Sequence, residues 1–228
     1  MQTEKNIENH SRHPLPAGTI IVIGRQFGSG GRRIGRLVAE KTGFRYYDKE
    51  LLAKAAESLG FSQKLFDKHD ERKPSTLHTL LQGIYGIADN FHDTSICGES
   101  LYQAQSRVIK GICKDEGCVI VGRTADYIMR HHPGLVSVFL HAPIELRAAD
   151  IVKRGDAADK ASAMELAKRR DRERESYYNF YTGREWGKAS NYHLTIDASG
   201  IQEDMAADLI IGFARIRLMP SFRKELTT

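Results

Sequence analysis

Three stretches of the chain are dominated by apolar residues with no period-two alternation: Ile20-Ile21-Val22-Ile23, Cys118-Val119-Ile120-Val121 and Leu135-Val136-Ser137-Val138-Phe139-Leu140. A strand with one wet face alternates; runs like these belong to parallel strands covered on both faces. Between them the period lengthens to that of a helix. Ile34, Leu37, Val38 and Lys41, the last with a snorkelling stem, follow the first run. Leu101, Ala104, Val108 and Ile112 share one face of a helix from Ser100 to Cys113. A helix over 124–132, turned by Pro133-Gly134, separates the second run from the third. The alternation predicts an α/β fold: a parallel sheet flanked by helices, joined by right-handed crossovers. Ligands gather at the carboxyl ends of such strands, which puts Gly24, Gly122-Arg123 and His141-Ala142 on one rim.

Weaker signals fill the gaps. The helix after the first strand runs from about Gly31 to Thr42 and stops at Gly43, a usual C-terminal signal. Phe44 to Tyr47 is a short strand, and Asp48 is placed to cap a helix beginning at Lys49. Residues 49–70 read as two short helices broken at Gly60, and 71–98 as an irregular insertion containing Pro74. Ala142-Pro143 opens a helix to about Arg154, Tyr192 to Asp197 is a last strand, and Ile201 to Leu218 a closing amphipathic helix. The organisation expected is a mobile tail over 1–17, one domain over 18–218 with an insertion at about 60–115 and a lid at about 157–188, and a C-terminal tail over 219–228.

Composition adds bounds. A chain of 228 residues, 28% charged and 41% hydrophobic, suits a single globular domain with a sizeable core. A net charge of +5 is compatible with nucleic acid and equally with small phosphorylated ligands. Cys97, Cys113 and Cys118 are too few and badly spaced for a zinc site or a disulfide framework, which points to a reducing, cytoplasmic location. No apolar run reaches membrane-spanning length, and no signal-peptide core precedes residue 18.

The first strand leads into Gly24-Arg25-Gln26-Phe27-Gly28-Ser29-Gly30-Gly31-Arg32-Arg33-Ile34-Gly35. Glycines let the backbone turn sharply and leave successive N–H groups open toward one concavity, and the following helix adds the positive end of its dipole. Gly28, Ser29, Gly30 and Gly31 are therefore candidates to hold nucleotide phosphates. The stretch does not fit G-x-x-x-x-G-K-[ST]: Gly31 stands at the lysine, and Arg32 and Arg33 occupy the next two places, including that of the hydroxyl. Glycine for tight packing alone leaves Arg32, Arg33 and Arg36 unexplained, since cations are disfavoured at a helix start. A dinucleotide fingerprint is the weaker contender; Asp48 sits at the right distance, but Arg33 replaces the third glycine.

Further candidates sit on the same rim. Asp48 is a cap, a substrate contact, or both. Arg123, at a strand end, suits a phosphate or a structural ion pair, and Asp126 touches a base or sugar, or orients Arg123. In the segment Lys168 to Glu175, Glu165, Arg169 and Glu173 would form a neutral stripe, while Arg170 and Arg174 share a face and are offset by Asp171 and Glu173. That helix is either a solvated face or a lid whose arginines close over transferring phosphates. Tyr177, Tyr178, Phe180, Tyr181 and Trp186 follow; they anchor the lid, form a homodimer contact, or stack single-stranded nucleic acid, the last less favoured because they cluster.

The glycine-rich stretch, followed by Tyr46-Tyr47-Asp48-Lys49-Glu50-Leu51, resembles the cytidylate kinase-like family, a bacterial branch of the P-loop nucleoside monophosphate kinases. Val121-Gly122-Arg123, Val136 to Ala142, Arg170-Asp171 and Leu194-Thr195-Ile196-Asp197 are similar in the same order. The resemblance implies a three-layer P-loop fold with a helical monophosphate-binding insertion and an arginine-rich lid. It also implies transfer of a phosphoryl group from ATP, as its Mg2+ complex, to a monophosphate such as CMP. On it, Gly28, Ser29, Gly30 and Gly31 cradle ATP, Arg32 or Arg33 replaces the lysine, Asp48 and Arg123 hold the monophosphate, and Arg170 and Arg174 clamp the transferred group. The chain departs from true cytidylate kinases at Gly31, Arg33, Thr124 and His141, where those carry Lys, Thr, Asp and Asp. The departures leave a nucleotide-binding module without turnover as the alternative to an enzyme.

Overall fold

The computed structural model describes residues 14–48, 95–113, 116–122 and 124–219. The expected helices over 49–70, most of the insertion over 71–98, and Arg123 lie outside the described residues, as do 1–13 and 220–228. Five parallel strands, β1 (Ile20–Arg25), β2 (Arg45–Tyr47), β3 (Cys118–Ile120), β4 (Leu135–His141) and β5 (Leu194–Asp197), form a sheet in the order β2-β3-β1-β4-β5. The central position of β1 explains its composition: Ile20, Ile21, Val22 and Ile23 are all wholly buried. Each such side chain contributes about 2 kcal/mol of burial.

Successive residues of β1 face opposite layers. Ile21 and Ile23 join Val119, Val136, Val138 and Leu140 under α1 (Gly31–Thr42) and the last described helix, α6 (Glu203–Arg217). Ile20 and Val22 join Ile120 and Leu135 under α2 (Ser95–Ile112) and α3 (Ala125–Ile128). The stem of Lys41 reaches α6, where its ammonium lies 2.7 Å from both Asp204 and Asp208. Two further helices, α4 (Ile144–Lys153) and α5 (Lys160–Thr182), pack on each other through Ala148, Ile151, Ala163 and Ala167. Small residues on α5 allow that close approach.

Helix ends follow local chemistry. α1 stops where Gly43, at φ 72°, donates its N–H to Ala39, and α5 starts where the Asp159 carboxylate accepts from the Ser162 N–H at 2.8 Å. The helix expected over 124–132 is only one turn long. Beyond Ile128 the chain tightens into i→i+3 bonds, Arg130 N–H to Tyr127 and His132 N–H to Met129, which lead into the Pro133-Gly134 turn. Cys113 and Cys118, despite their unpromising spacing, bring their sulfurs to 3.1 Å at the α2–β3 junction; both are buried and free.

Candidate functional site

The carboxyl end of β1 passes into the glycine-rich loop, which is stitched to β4. Gln26 donates its N–H to Leu140 at 3.0 Å, its side-chain oxygen accepts from the Ala142 N–H at 3.2 Å, and the Ser29 hydroxyl donates to the Gln26 carbonyl at 2.9 Å. Ser29 thus spends its hydroxyl on holding the loop. Gly28 and Gly30 adopt φ of 85° and 78°, a region costly for residues with a Cβ. A Cβ at Gly28 would also stand 2.8 Å from the Arg147 carbonyl. Among the described residues, the N–H groups of Gly28, Gly30 and Gly31 find no protein acceptor. They open the first turn of α1, where the helix dipole favours an anion.

Gly31 has no such backbone requirement; its φ is not positive. It is glycine for another reason: a Cβ there would lie 2.8 Å from Cγ of Arg25 and 2.9 Å from its Cβ. Similarly, Gly24 leaves room for the rings of Phe139 and Tyr192, at 3.0 and 3.4 Å from a notional Cβ.

The arginines of α1 divide into two groups. The Arg33 guanidinium is bound by Glu203 at the start of α6 and by Asp150 of α4, the latter at 2.8 Å. Arg32 and Arg36 turn the other way, toward the buried carboxylate of Asp48 at 4.0 and 3.9 Å. The Tyr46 hydroxyl lies 3.5 Å from that carboxylate, and burial, with Asp48 beside it, pushes the phenol upward. Asp48 therefore sits at the end of β2 among cationic side chains.

The charged helix, α5, lies against the loop. Asp171 accepts from the Phe27 N–H at 2.7 Å and from Nη1 of Arg147 at 2.6 Å. Arg147 is itself buried and also donates to the carbonyls of Ala142 and Phe27, at 2.9 and 3.1 Å. Nη1 of Arg174 donates to the Arg25 carbonyl at 3.0 Å, and its guanidinium lies 5.4 Å from the Phe27 ring centroid. Arg170 pairs with Glu173 at 3.0 Å. The expected Glu165-Arg169-Glu173 stripe gives way to i,i+3 pairs, Glu165–Lys168 and Arg170–Glu173, because Glu173 is taken by Arg170. Sequence reasoning passed over Arg147 and used Asp171 only as a charge offset. The available signal was an arginine one turn inside a helix that starts on the rim.

Asp126 opens α3 and is buried; the Tyr178 hydroxyl donates to it at 2.8 Å. Burial holds its carboxyl up at about 6, against the pull of that hydroxyl and nearby amides. Tyr178 stacks on Tyr192, whose ring adjoins Gly24, so the acid is linked to the loop by aromatic packing. Thr124, the residue at the departure after Gly122-Arg123, has a buried hydroxyl with no partner among the described residues. The remaining aromatics anchor α5: Tyr181 stacks on Tyr102 at 4.5 Å, the Tyr177 hydroxyl donates to Gln105 at 2.8 Å, and Trp186 meets Phe139 edge-on. Phe180 alone of the group is largely exposed.

A five-stranded parallel sheet in this order, with a glycine-rich loop leading into α1, is joined by a match of the cytidylate kinase-like family pattern to residues 20–200. The chain belongs to the cytidylate kinase-like family. It is 25% identical over 187 residues to a cytidylate kinase of Pyrococcus abyssi, covering 81% of this chain and 88% of that one. A solved structure of an uncharacterized protein from Eubacterium ventriosum superposes with a TM-score of 0.65 at 25% identity, over 86% of this chain and 98% of the other. A gluconokinase from Sinorhizobium meliloti shares the fold, with a TM-score of 0.50 at 16% identity, over 87% of this chain and 93% of that one.

Position 33 carries a guanidinium tied to two carboxylates, and no group of three His, Cys, Asp or Glu gathers among the described residues. The described residues also hold no helix long and apolar enough to cross a membrane.

Proposed function

We propose that this protein transfers the γ-phosphoryl group of ATP to a nucleoside monophosphate, with CMP or a related small acceptor as substrate. The observation that carries the reading is the set of open amides at Gly28, Gly30 and Gly31, in front of the α1 dipole; family membership supports it. In the reaction the bond from Pγ to the β–γ bridging oxygen breaks, and one forms from Pγ to an oxygen of the acceptor phosphate. Such transfer depends on positioning and on stabilising charge on the transferring group. ATP would arrive as its magnesium complex, and the ion would supply charge neutralisation on the phosphates.

Gly28, Gly30 and Gly31 cradle the donor phosphates through their amides, while Ser29, whose amide and hydroxyl both bond the Gln26 carbonyl, holds the loop in shape. Arg32 is better placed than Arg33 to act on phosphate, since the Arg33 fork is committed to Glu203 and Asp150. Asp48, Arg123 and Asp126 form the acceptor side, with Arg123 taking the phosphate and the carboxylates taking hydroxyl or amino donors. Arg174 and Arg170 on α5 close over the transferred group. The anchoring of Tyr181, Tyr177 and Tyr178 on Tyr102, Gln105 and Asp126 leaves Phe180 as the one largely exposed ring of the cluster, which supports the nucleic-acid reading less than a row of open rings would.

A second reading, nucleotide binding without turnover, is favoured by Gly31 standing where the ordinary pattern has its lysine, with Arg33 committed to Asp150 and Glu203. The deciding experiment couples ADP release to a panel of monophosphates that includes CMP, alongside calorimetric titration with ATP-Mg. Turnover with one acceptor well above background is expected. ATP binding without turnover on any acceptor would leave the second reading in its place, and absence of ATP binding would overturn both.

A further inference from the structure

Gly31 is a glycine that its own backbone does not require. Its φ lies outside the left-handed region, and as the first residue of a helix it costs more conformational entropy than alanine would. What excludes a side chain there is Arg25: the Cβ, Cγ and Cδ atoms of its stem run past the place of a Cβ at position 31 at 2.9, 2.8 and 3.5 Å. The stem thus fills the volume in which a residue-31 side chain would begin. A lysine at 31 and the present course of Arg25 exclude each other.

We propose that Arg25 supplies the phosphate-binding charge that a lysine at position 31 supplies in P-loops of the ordinary pattern. The cation has moved from the first turn of α1 to the end of β1. The stem of Arg25 crosses the place of a residue-31 side chain, next to Gly28, Gly30 and Gly31, whose amides are open. The surrounding charges suit a polyanion. Arg174 donates to the Arg25 carbonyl, Arg147 bonds the Phe27 carbonyl, and the carboxylate of Asp171 is held by Arg147 and the Phe27 amide. A guanidinium presents a planar fork where an ammonium presents a point charge, so it meets two phosphate oxygens at once. The ligand class is a nucleoside triphosphate, recognised through its polyphosphate chain; this rests on the function proposed above.

The test is calorimetric titration of the full chain with ATP and, separately, with inorganic tripolyphosphate. Arg25→Met keeps a stem over Gly31 and deletes the charge, and Arg25→Lys keeps both; melting curves of every variant establish folding. Arg25→Met is expected to bind both ligands at least ~10-fold more weakly, the scale of a lost charge-assisted hydrogen bond, and Arg25→Lys to recover most of the loss. The charge transplant Arg25→Ala with Gly31→Lys is expected to bind tripolyphosphate more tightly than Arg25→Ala alone, which a purely packing role for the stem would not produce. Should Arg25→Met fail to fold, the comparison of Arg25→Ala with the transplant decides. Wild-type affinity in Arg25→Met, or no gain from the transplant, would overturn the assignment while leaving the proposed function in place. If the wild-type chain binds neither ligand, both fall.

Discussion

The Asp171 carboxylate accepts a hydrogen bond from the Phe27 amide at 2.7 Å across 144 positions of sequence. It thereby fastens the charged helix to the loop that leads into α1. The same carboxylate neutralises Arg147, which is buried beneath the loop. Removing one partner of a buried pair leaves the other charge without compensation. Asp171→Ala is therefore expected to lower unfolding free energy by about 3 kcal/mol, measured by urea denaturation. Asp171→Asn, which retains an acceptor for the amide, should fall between the variant and the wild type.

Asp126 gives a pH dependence with a definite sign. Its folded pKa is raised to about 6 from 3.8 by burial, so the folded state holds a proton that the unfolded chain has released. Stability contributed by that proton is complete below about pH 4 and is lost as pH rises toward 6. The loss amounts to about 3 kcal/mol once the acid is ionised. Asp126→Asn keeps an acceptor for Tyr178 without the ionisation. Urea midpoints between pH 4 and 8 should show the variant gaining on the wild type up to about pH 6, then a constant gap. A gap independent of pH would remove this account.

Gly28 combines a φ of 85° with a notional Cβ only 2.8 Å from a backbone carbonyl, which cannot swing aside as a side chain can. Gly28→Ala should cost about 2 kcal/mol or more in stability. It should also weaken ATP binding, because relief comes only by moving the loop. Thermal melting and calorimetry read the two effects separately.

Arg32 and Arg33 are neighbours with opposite commitments. Arg33→Ala removes half-exposed ion pairs to Asp150 and Glu203, which is worth about 1 kcal/mol of stability. It should leave phosphoryl transfer within a few-fold of wild type. Arg32→Ala takes a cation from the buried Asp48 and leaves Arg36, so it should also cost about 1 kcal/mol of stability. Unlike Arg33→Ala, it should lower kcat/KM by about 10-fold or more, as expected for a charge acting on the transferring group. Kinetics and denaturation of the two variants side by side check the division; reversed effects would exchange the roles.

What could be read from the residues was whatever depends on near neighbours. The uniform run Ile20–Ile23 marked the central strand because burial on two faces leaves no polar position, and Gly43 marked the end of α1 because the last carbonyls there need a left-handed turn. Boundaries failed where tertiary contacts decide. α5 runs through its aromatics to Thr182 because they pack on Tyr102 and Asp126, while the 124–132 helix is cut short by its turn. Within the site, the glycines were visible and the destinations of the arginines were not. The carboxylates that hold Arg33 lie 117 and 170 positions away, and no spacing rule connects them. Nothing in the loop's sequence distinguishes Arg25, since only the folded backbone lays its stem across Gly31.

Asp171 and Tyr178 stand about two turns apart on α5, along one side of the same rod. One grips the glycine loop and the other the acid at the start of α3. If a ligand that frees the first grip shifts the rod, the second grip shifts with it, and occupancy beside the loop and occupancy beside Asp126 then share one free energy. Each must then change the other's affinity by the same factor, in whichever order the two arrive.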